Sequence, residues 1–231
     1  MASEQSYADR VGRANLLHGT VTGFPVAFIS TDPLNDMGNF VTYTATCNTK
    51  NEFIDGKADD YDNQANARMA HVKGMKALVT RSLNYVLSVK SLKNSWSTVK
   101  RSAQRVTTIK PTKTKPENQG KKRNKGEQSF ADIANNFEAY LSLLTTLGAP
   151  YNPTSAELLV ANMSPLKTSL NTQSKDLGTL AGLVTLNRAE RKNMFNGEDG
   201  LRDRMNSIKK AVKSQYGINS PEHNSVKGIK N

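Results

Sequence analysis

Apolar residues recur at intervals of three and four over 129–147, where Phe130, Ile133, Phe137, Tyr140, Leu141, Leu144 and Leu147 fall on one face. That spacing predicts an amphipathic helix. Ser129 stands where an N-cap would accept a bond from the first turn. Gly148-Ala149-Pro150-Tyr151-Asn152-Pro153 ends the run, because a residue before proline avoids the helical region. Thr154 and Glu157 then have capping-box spacing. Beyond them Leu159, Met163, Leu166, Leu170, Leu177, Leu180 and Val184 follow a heptad seam, with Gln173 and Asn187 as its polar members. The seam predicts a long helix of roughly 40 residues, about 60 Å at 1.5 Å rise. Pro165 should kink it or shift its start. Asn196-Gly197 breaks the chain, and Leu201, Met205, Ile208, Val212 and Tyr216 form a last helix stopped by Gly217.

The first half follows a similar plan less cleanly. Residues 6–17 read as a short helix. Residues 19–32, with Val21, Phe24, Val26, Phe28 and Ile29, read as extended, and 24–29 pairing as a strand is the alternative. Leu34, Met37 and Val41 start a helix whose continuity is open, since Thr and Asn crowd 42–50 and Gly56 interrupts it. Residues 65–105 read as one strong helix on Val72, Met75, Val79, Val86, Val89 and Trp96.

Short strings repeat between the halves. Gln5-Ser6-Tyr7-Ala8-Asp9 matches Gln128-Ser129-Phe130-Ala131-Asp132; Asp32-Pro33 matches Asn152-Pro153; and Met75, Val79, Val86 match Leu201, Met205, Val212. The order of these landmarks suggests two copies of one unit. The expected fold class is therefore all-α: an elongated bundle of about six helices from two duplicated three-helix units. The expected domains are a first helical unit over 1–106, a disordered basic linker over 107–127, a second helical unit over 128–217 and a C-terminal tail over 218–231.

Composition narrows the picture. Apolar residues are 36% and aromatics 6%, so a core in this 231-residue chain must come mostly from Leu, Val, Ala and Met. No apolar run is long enough to span a membrane, and the start carries no secretory pattern. Cys47 is the single cysteine, which excludes an internal disulfide and a cysteine-clustered metal site. A cytoplasmic setting is expected.

The net charge of +12 is concentrated. Lys90, Lys93, Lys100, Arg101, Arg105, Lys110, Lys113, Lys115, Lys121, Lys122, Arg123 and Lys125 share one window with a single acid, Glu117. The rest of the chain holds twenty bases and nineteen acids, so it is almost neutral. Lysine density of this kind can serve solubility alone. Its excess here points instead to a phosphate polymer bound with counterion release. From Lys93 to Lys125 these cations, Lys90 apart, are the candidate nucleic-acid-binding residues. Trp96 has two readings: an indole on which a base stacks, or, the one favoured, a continuation of the Val86–Val89 face into the core.

Catalytic chemistry is not legible. His18, His71 and His223 are far apart and lack ligands at metal spacing, and no HExxH, GxSxG or phosphate-loop motif occurs. Asp55, Asp59, Asp60 and Asp62 are acidic enough to suggest calcium, but their order is wrong and the terminal Glu is missing, so a solvated acidic turn is the reading. Cys47 reads as a small helix-face residue. No catalytic residue, metal, cofactor or small-molecule substrate is expected.

The strings QSFADIANNFEAYLSLL (128–144), APYNPTSAELLVANM (149–163), LVTRSLNYV (78–86) and VKSQYGINSPEHNSVKGIK (212–230) carry a resemblance. They look like a family of uncharacterised helical-bundle proteins of Bacteroidota, most specifically through Tyr216-Gly217, Ser220-Pro221-Glu222 and Val226-Lys227-Gly228-Ile229. His223 stands where that family has an aromatic residue. The resemblance covers about half the chain, implies a two-unit helical architecture and a bacterial cytoplasmic setting, and transfers no functional residue.

Two functions remain on the page. The first is a non-enzymatic helical protein whose basic arm binds DNA, RNA or the ribosome without sequence specificity. The second is a self-associating scaffold, a homo-oligomer joined along the heptad seam. The tail at 218–231 is expected to dock through Val226 and Ile229, on the bundle or on a partner.

Overall fold

The structure, a computed structural model, describes residues 4–30, 32–109 and 129–231. Eight α-helices follow one another among the described residues, with no strand. They are α1 (Glu4–Thr22), α2 (Met37–Ser88), α3 (Trp96–Thr107), α4 (Phe130–Thr146), α5 (Val160–Met163), α6 (Pro165–Asn196), α7 (Leu201–Tyr216) and α8 (Pro221–Lys227). All but α5 and α8 run three turns or more, which leaves the six principal helices expected for an all-α fold.

Contacts divide the chain into residues 1–58 with 183–231, and residues 59–182. The sequence expectation drew its divisions at the basic linker. The observed units instead draw on both proposed copies, because α2 and α6 each contribute to both.

The first unit packs Val11, Ala14, Leu17 and Val21 of α1 against Phe40 and Cys47 of α2, Phe195 of α6, and Leu201, Met205, Ile208 and Val212 of α7. Tyr43 Oη donates to the Met194 carbonyl at 3.0 Å, and Lys50 Nζ donates to Asn187 Oδ1 at 2.6 Å. Here α2 and α6 therefore run antiparallel. The tail is part of this core: Ser220 caps α8 by accepting from His223 N, Val226 is fully buried and Ile229 packs beside it.

The second unit gathers Val72, Met75, Val79 and Val86 of α2, Val99, Ala103 and Val106 of α3, and Ile133, Phe137, Tyr140 and Leu144 of α4, with Met163 and Leu170. A smaller cluster joins Tyr61 and Ala65 to Leu177 and Ala181. The heptad seam is thus largely consumed within the chain: Met163, Leu170, Leu177 and Val184 are buried.

Several expectations are corrected. Gly56 does not interrupt α2, which passes through it unbroken with Ile54 and Tyr61 buried on either side. A glycine costs a helix only about 1 kcal/mol relative to alanine, less than burying either neighbour returns. The helix expected over 65–105 breaks at Val89, which is extended and leads into a 3-10 turn over Lys90–Ser95. The turn buries Leu92 and brings the Trp96 indole N–H to the Val86 carbonyl at 3.0 Å. The long helix expected from 159 begins at Pro165, a position where the missing N–H costs nothing. A 3-10 turn over Ala156–Leu158 and the single turn α5 precede it.

The Thr154–Glu157 capping box does not form. Ser155 leads the 3-10 turn without a side-chain cap, and Glu157 is drawn to Arg81 Nη2 at 2.7 Å. Residues 23–30 are irregular rather than a strand, and α1 runs on to Thr22. Side chains of α7 satisfy that irregular backbone: Gln215 donates to the Ala27 carbonyl and accepts from Ile29 N, and Tyr216 Oη donates to the Val26 carbonyl. Of the linker expected over 107–127, Thr107 is helical and Ile109 is buried in the core of the second unit, and residues 110–127 lie outside the described residues.

Two local expectations hold. Ser129 caps α4, with Asp132 closing a reciprocal capping box. Gly217 ends α7 at φ 95°, a left-handed value that favours glycine.

Candidate nucleic-acid interface

Helix α3 is short and strongly two-faced. Val99, Ala103 and Val106 point into the core of the second unit. Lys100, Arg101, Gln104 and Arg105 lie on the opposite, exposed side. Lys90 and Lys93, also exposed, stand on the 3-10 turn that leads into it. Lys93, Ser97, Arg101 and Arg105 follow one another at four-residue steps. A helix of this length spans about 18 Å.

The five cations have no acid near them in sequence, since no Asp or Glu occurs between residues 63 and 109. None of them takes part in an ion pair among the described residues. Elsewhere in the same unit the exposed Arg81 and the half-buried Lys167 do find carboxylates, Glu157 at 2.7 Å and Glu138 at 2.6 Å. The Arg81–Glu157 bond lowers the Glu157 carboxyl and raises the Arg81 guanidinium relative to their ordinary values.

Both ends of α3 are held. At its start the Trp96 indole packs against the core and is hydrogen-bonded to α2, so the core reading of Trp96 holds. At its end Lys76 Nζ donates to the carbonyls of Thr107, at 3.1 Å, and Ile109. That lysine satisfies carbonyls which a helix C-terminus leaves open and sits at the negative end of its dipole.

Of the candidate residues, Lys100, Arg101 and Arg105 share the exposed side of α3, and Lys93 is exposed on the 3-10 turn before it. Lys110, Lys113, Lys115, Lys121, Lys122, Arg123 and Lys125 lie outside the described residues. Sequence reasoning missed Lys73, which is exposed on α2 one turn before Lys76, and missed Lys76 itself. The signal was available, since the acid-free run reaches back to residue 63 rather than starting at 90.

Reactive groups elsewhere are engaged structurally. Burial pushes the Cys47 thiol up to about 12, which keeps it protonated and unreactive. His71 Nε2 lies 2.9 Å from the Leu166 carbonyl, and His223 Nδ1 lies 2.8 Å from the Ile218 carbonyl. Burial raises Tyr140 well above the ordinary phenol range and Tyr151 to about 12. The acidic residues Asp55, Asp59, Asp60 and Asp62 are exposed on helix α2, not in a turn. Among the described residues no group of three or more His, Cys, Asp or Glu is placed to hold a metal ion.

An open groove of about 290 Å³ in the first unit is lined by Pro33, Leu34, Asn39, Thr42, Tyr43, Thr46 and Arg204. Arg204 stacks 4.1 Å from the centre of the Tyr43 ring, and its Nε donates to the Asp199 carbonyl. No carboxylate, imidazole or thiol lines the groove, so it offers no acid–base pair.

Among the described residues no helix is long and apolar enough to cross a membrane. No family model, no curated protein and no solved structure matches this chain.

Proposed function

We propose that this protein is a non-enzymatic helical-bundle protein that binds an anionic polymer, DNA, RNA or the ribosome, through the exposed basic face of α3 and the basic segment that follows it in sequence. A cytoplasmic setting belongs to the same proposal. The observation that carries it is the group Lys90, Lys93, Lys100, Arg101 and Arg105, exposed, in no ion pair among the described residues and set in a stretch of sequence with no acid. Cations kept apart from carboxylates attract phosphate and release its condensed counterions on binding. An anionic membrane is a poorer fit, because the apolar side of α3 is used by its own core and none is left to enter a lipid interface.

The test is a salt titration of binding to a generic duplex. Affinity should fall steeply between low and physiological salt. Affinity that barely changes, or no binding at all, removes the proposal.

A self-associating scaffold is the second reading. The heptad seam lends it little, because those residues are mostly covered within the chain. What favours it is Leu183 and Leu186, which remain exposed on α6. Light scattering across concentration decides it: a strict monomer at high concentration ends that reading.

A further inference from the structure

We infer that the polymer bound by the α3 face is a nucleic-acid duplex, gripped by its phosphate backbone, rather than a single strand. The inference rests on the reading of that face as a polyanion-binding surface.

Surfaces that hold single strands pair cations with aromatic rings on which bases stack, each base contributing about 1–3 kcal/mol. The α3 face has no such ring. Between residues 63 and 129 the chain contains two aromatics, Tyr85 and Trp96. The Trp96 indole is packed on the core with its N–H bonded to the Val86 carbonyl. Tyr85 meets Tyr151 edge to face, ring centres 5.6 Å apart. The next ring in the chain, Phe130, is covered by the Arg68 guanidinium 3.6 Å from its centre. An unstacked base brought to α3 meets cations and short polar side chains, and no free ring.

The helix that carries Lys100, Arg101 and Arg105 is also held in place. The backbone of α3 is tied at its start through Trp96 and at its end through Lys76. Four-residue steps along a helix are about 6 Å apart, and each strand of a duplex presents one phosphate per roughly 3.4 Å of axis in a regular row. A helix held in place presents Arg101 and Arg105 one turn apart to a regular row of phosphates, so that only side chains need ordering on binding. A flexible single strand must be ordered on binding, and no stacking offsets that loss here.

The experiment measures fluorescence anisotropy of the full-length protein with a short fluorescein-labelled DNA duplex and with one of its strands, at matched salt. The strand is chosen to lack self-complementarity. Vesicles of phosphatidylcholine with phosphatidylserine form a further arm. The duplex should bind about tenfold or more tightly than the strand, because its phosphates are about twice as dense along the axis and more counterions are released for each contact. In the Arg101→Gln/Arg105→Gln protein, shown by circular dichroism to keep its helices, the salt slope for the duplex should shrink by about 2. A strand bound within a few-fold of the duplex, or more tightly, overturns the duplex inference and leaves polyanion binding standing. A duplex preference with its slope unchanged in the double variant also overturns it, because the contacts then lie away from α3. Binding to neither nucleic acid, with or without binding to the vesicles, overturns the parent reading together with the inference.

Discussion

The two compact units use polar residues in opposite ways. The first, residues 1–58 with 183–231, holds fourteen Lys and Arg against eleven Asp and Glu, so its charges nearly balance. It also takes polar groups inside: Asn51, Asn187 and Arg191 are buried, with the Arg191 guanidinium 4.3 Å from the centre of the Tyr7 ring. The second, residues 59–182, holds eighteen bases against nine acids. Its main core is mostly aliphatic, and the Tyr140 and Ser82 hydroxyls, 2.7 Å apart, satisfy each other inside it. Among its described residues Lys73, Lys90, Lys93, Lys100, Arg101 and Arg105 are exposed, on a stretch of sequence with no acid. Buried polar groups favour one particular packing, whereas unpaired surface cations favour an external partner. Under the proposed function, binding belongs to the second unit and the first is a structural part.

The sequence supplies one reporter for each unit, Cys47 in the first core and Trp96 beside the second. The largest effect expected is from Phe195→Ala, which removes a fully buried ring in edge contact with Tyr7. It should cost about 3–5 kcal/mol and expose Cys47 to a thiol reagent, while the folded fraction keeps its affinity for duplex. Lost affinity in the folded fraction would break the division of labour. Next is Val226→Ala, expected at about 2 kcal/mol from lost burial and the cavity left behind. Deleting 218–231 should likewise lower the melting temperature. A truncated protein of unchanged stability would show that the tail contributes nothing to the first unit.

Smaller still is Ser129→Ala in the second unit, where losing the cap should cost about 1 kcal/mol. Hydrogen bonds from the Ser129 side chain and backbone hold the Asp132 carboxyl below its ordinary range. A lowered carboxyl stabilises above the unfolded value and loses that contribution as pH falls through the folded one. Acid titration of wild type should therefore show a loss that Ser129→Ala lacks. In the first unit the sign reverses at the alkaline end. The Cys47 thiol, raised from 9.0 to about 12, contributes fully below its unfolded value and loses that contribution as pH climbs towards 12. Cys47→Ala should flatten that part of the melting curve against pH. The smallest stability effect is expected from Arg101→Gln/Arg105→Gln, within about 0.5 kcal/mol in a thermal melt because both side chains are exposed. A larger loss would mean that α3 needs its cations to fold, and the contrast between the units would weaken.

The same split between local and distant causes explains what could be read beforehand. Helices α4 and α7 were legible because their signals lie within a few residues: the three-four spacing, Ser129 before one and Gly217 after the other. The break at Val89 was not, because the apolar spacing runs straight through it, and only the fit of Leu92 and Trp96 against the second core puts a turn there. The segment 24–29 has the apolar content of a strand, but its backbone is satisfied by Gln215 and Tyr216 from the far end of the chain. At the candidate interface the charge was legible residue by residue. Its arrangement was not, since nothing near Lys76 in sequence says that it holds the end of α3.

What the sequence determined by itself is the helical class, the stop at Gly217, and the placement of the charge excess in one stretch with a single acid. These follow from hydrogen bonds, caps and charges that act over one or two turns. Tertiary structure decided which face of α3 meets solvent, that the Trp96 indole is packed away, that α2 continues through Gly56, and that Val226 closes the first core. Those outcomes depend on burial, and a side chain is buried only when surfaces distant in sequence come together around it.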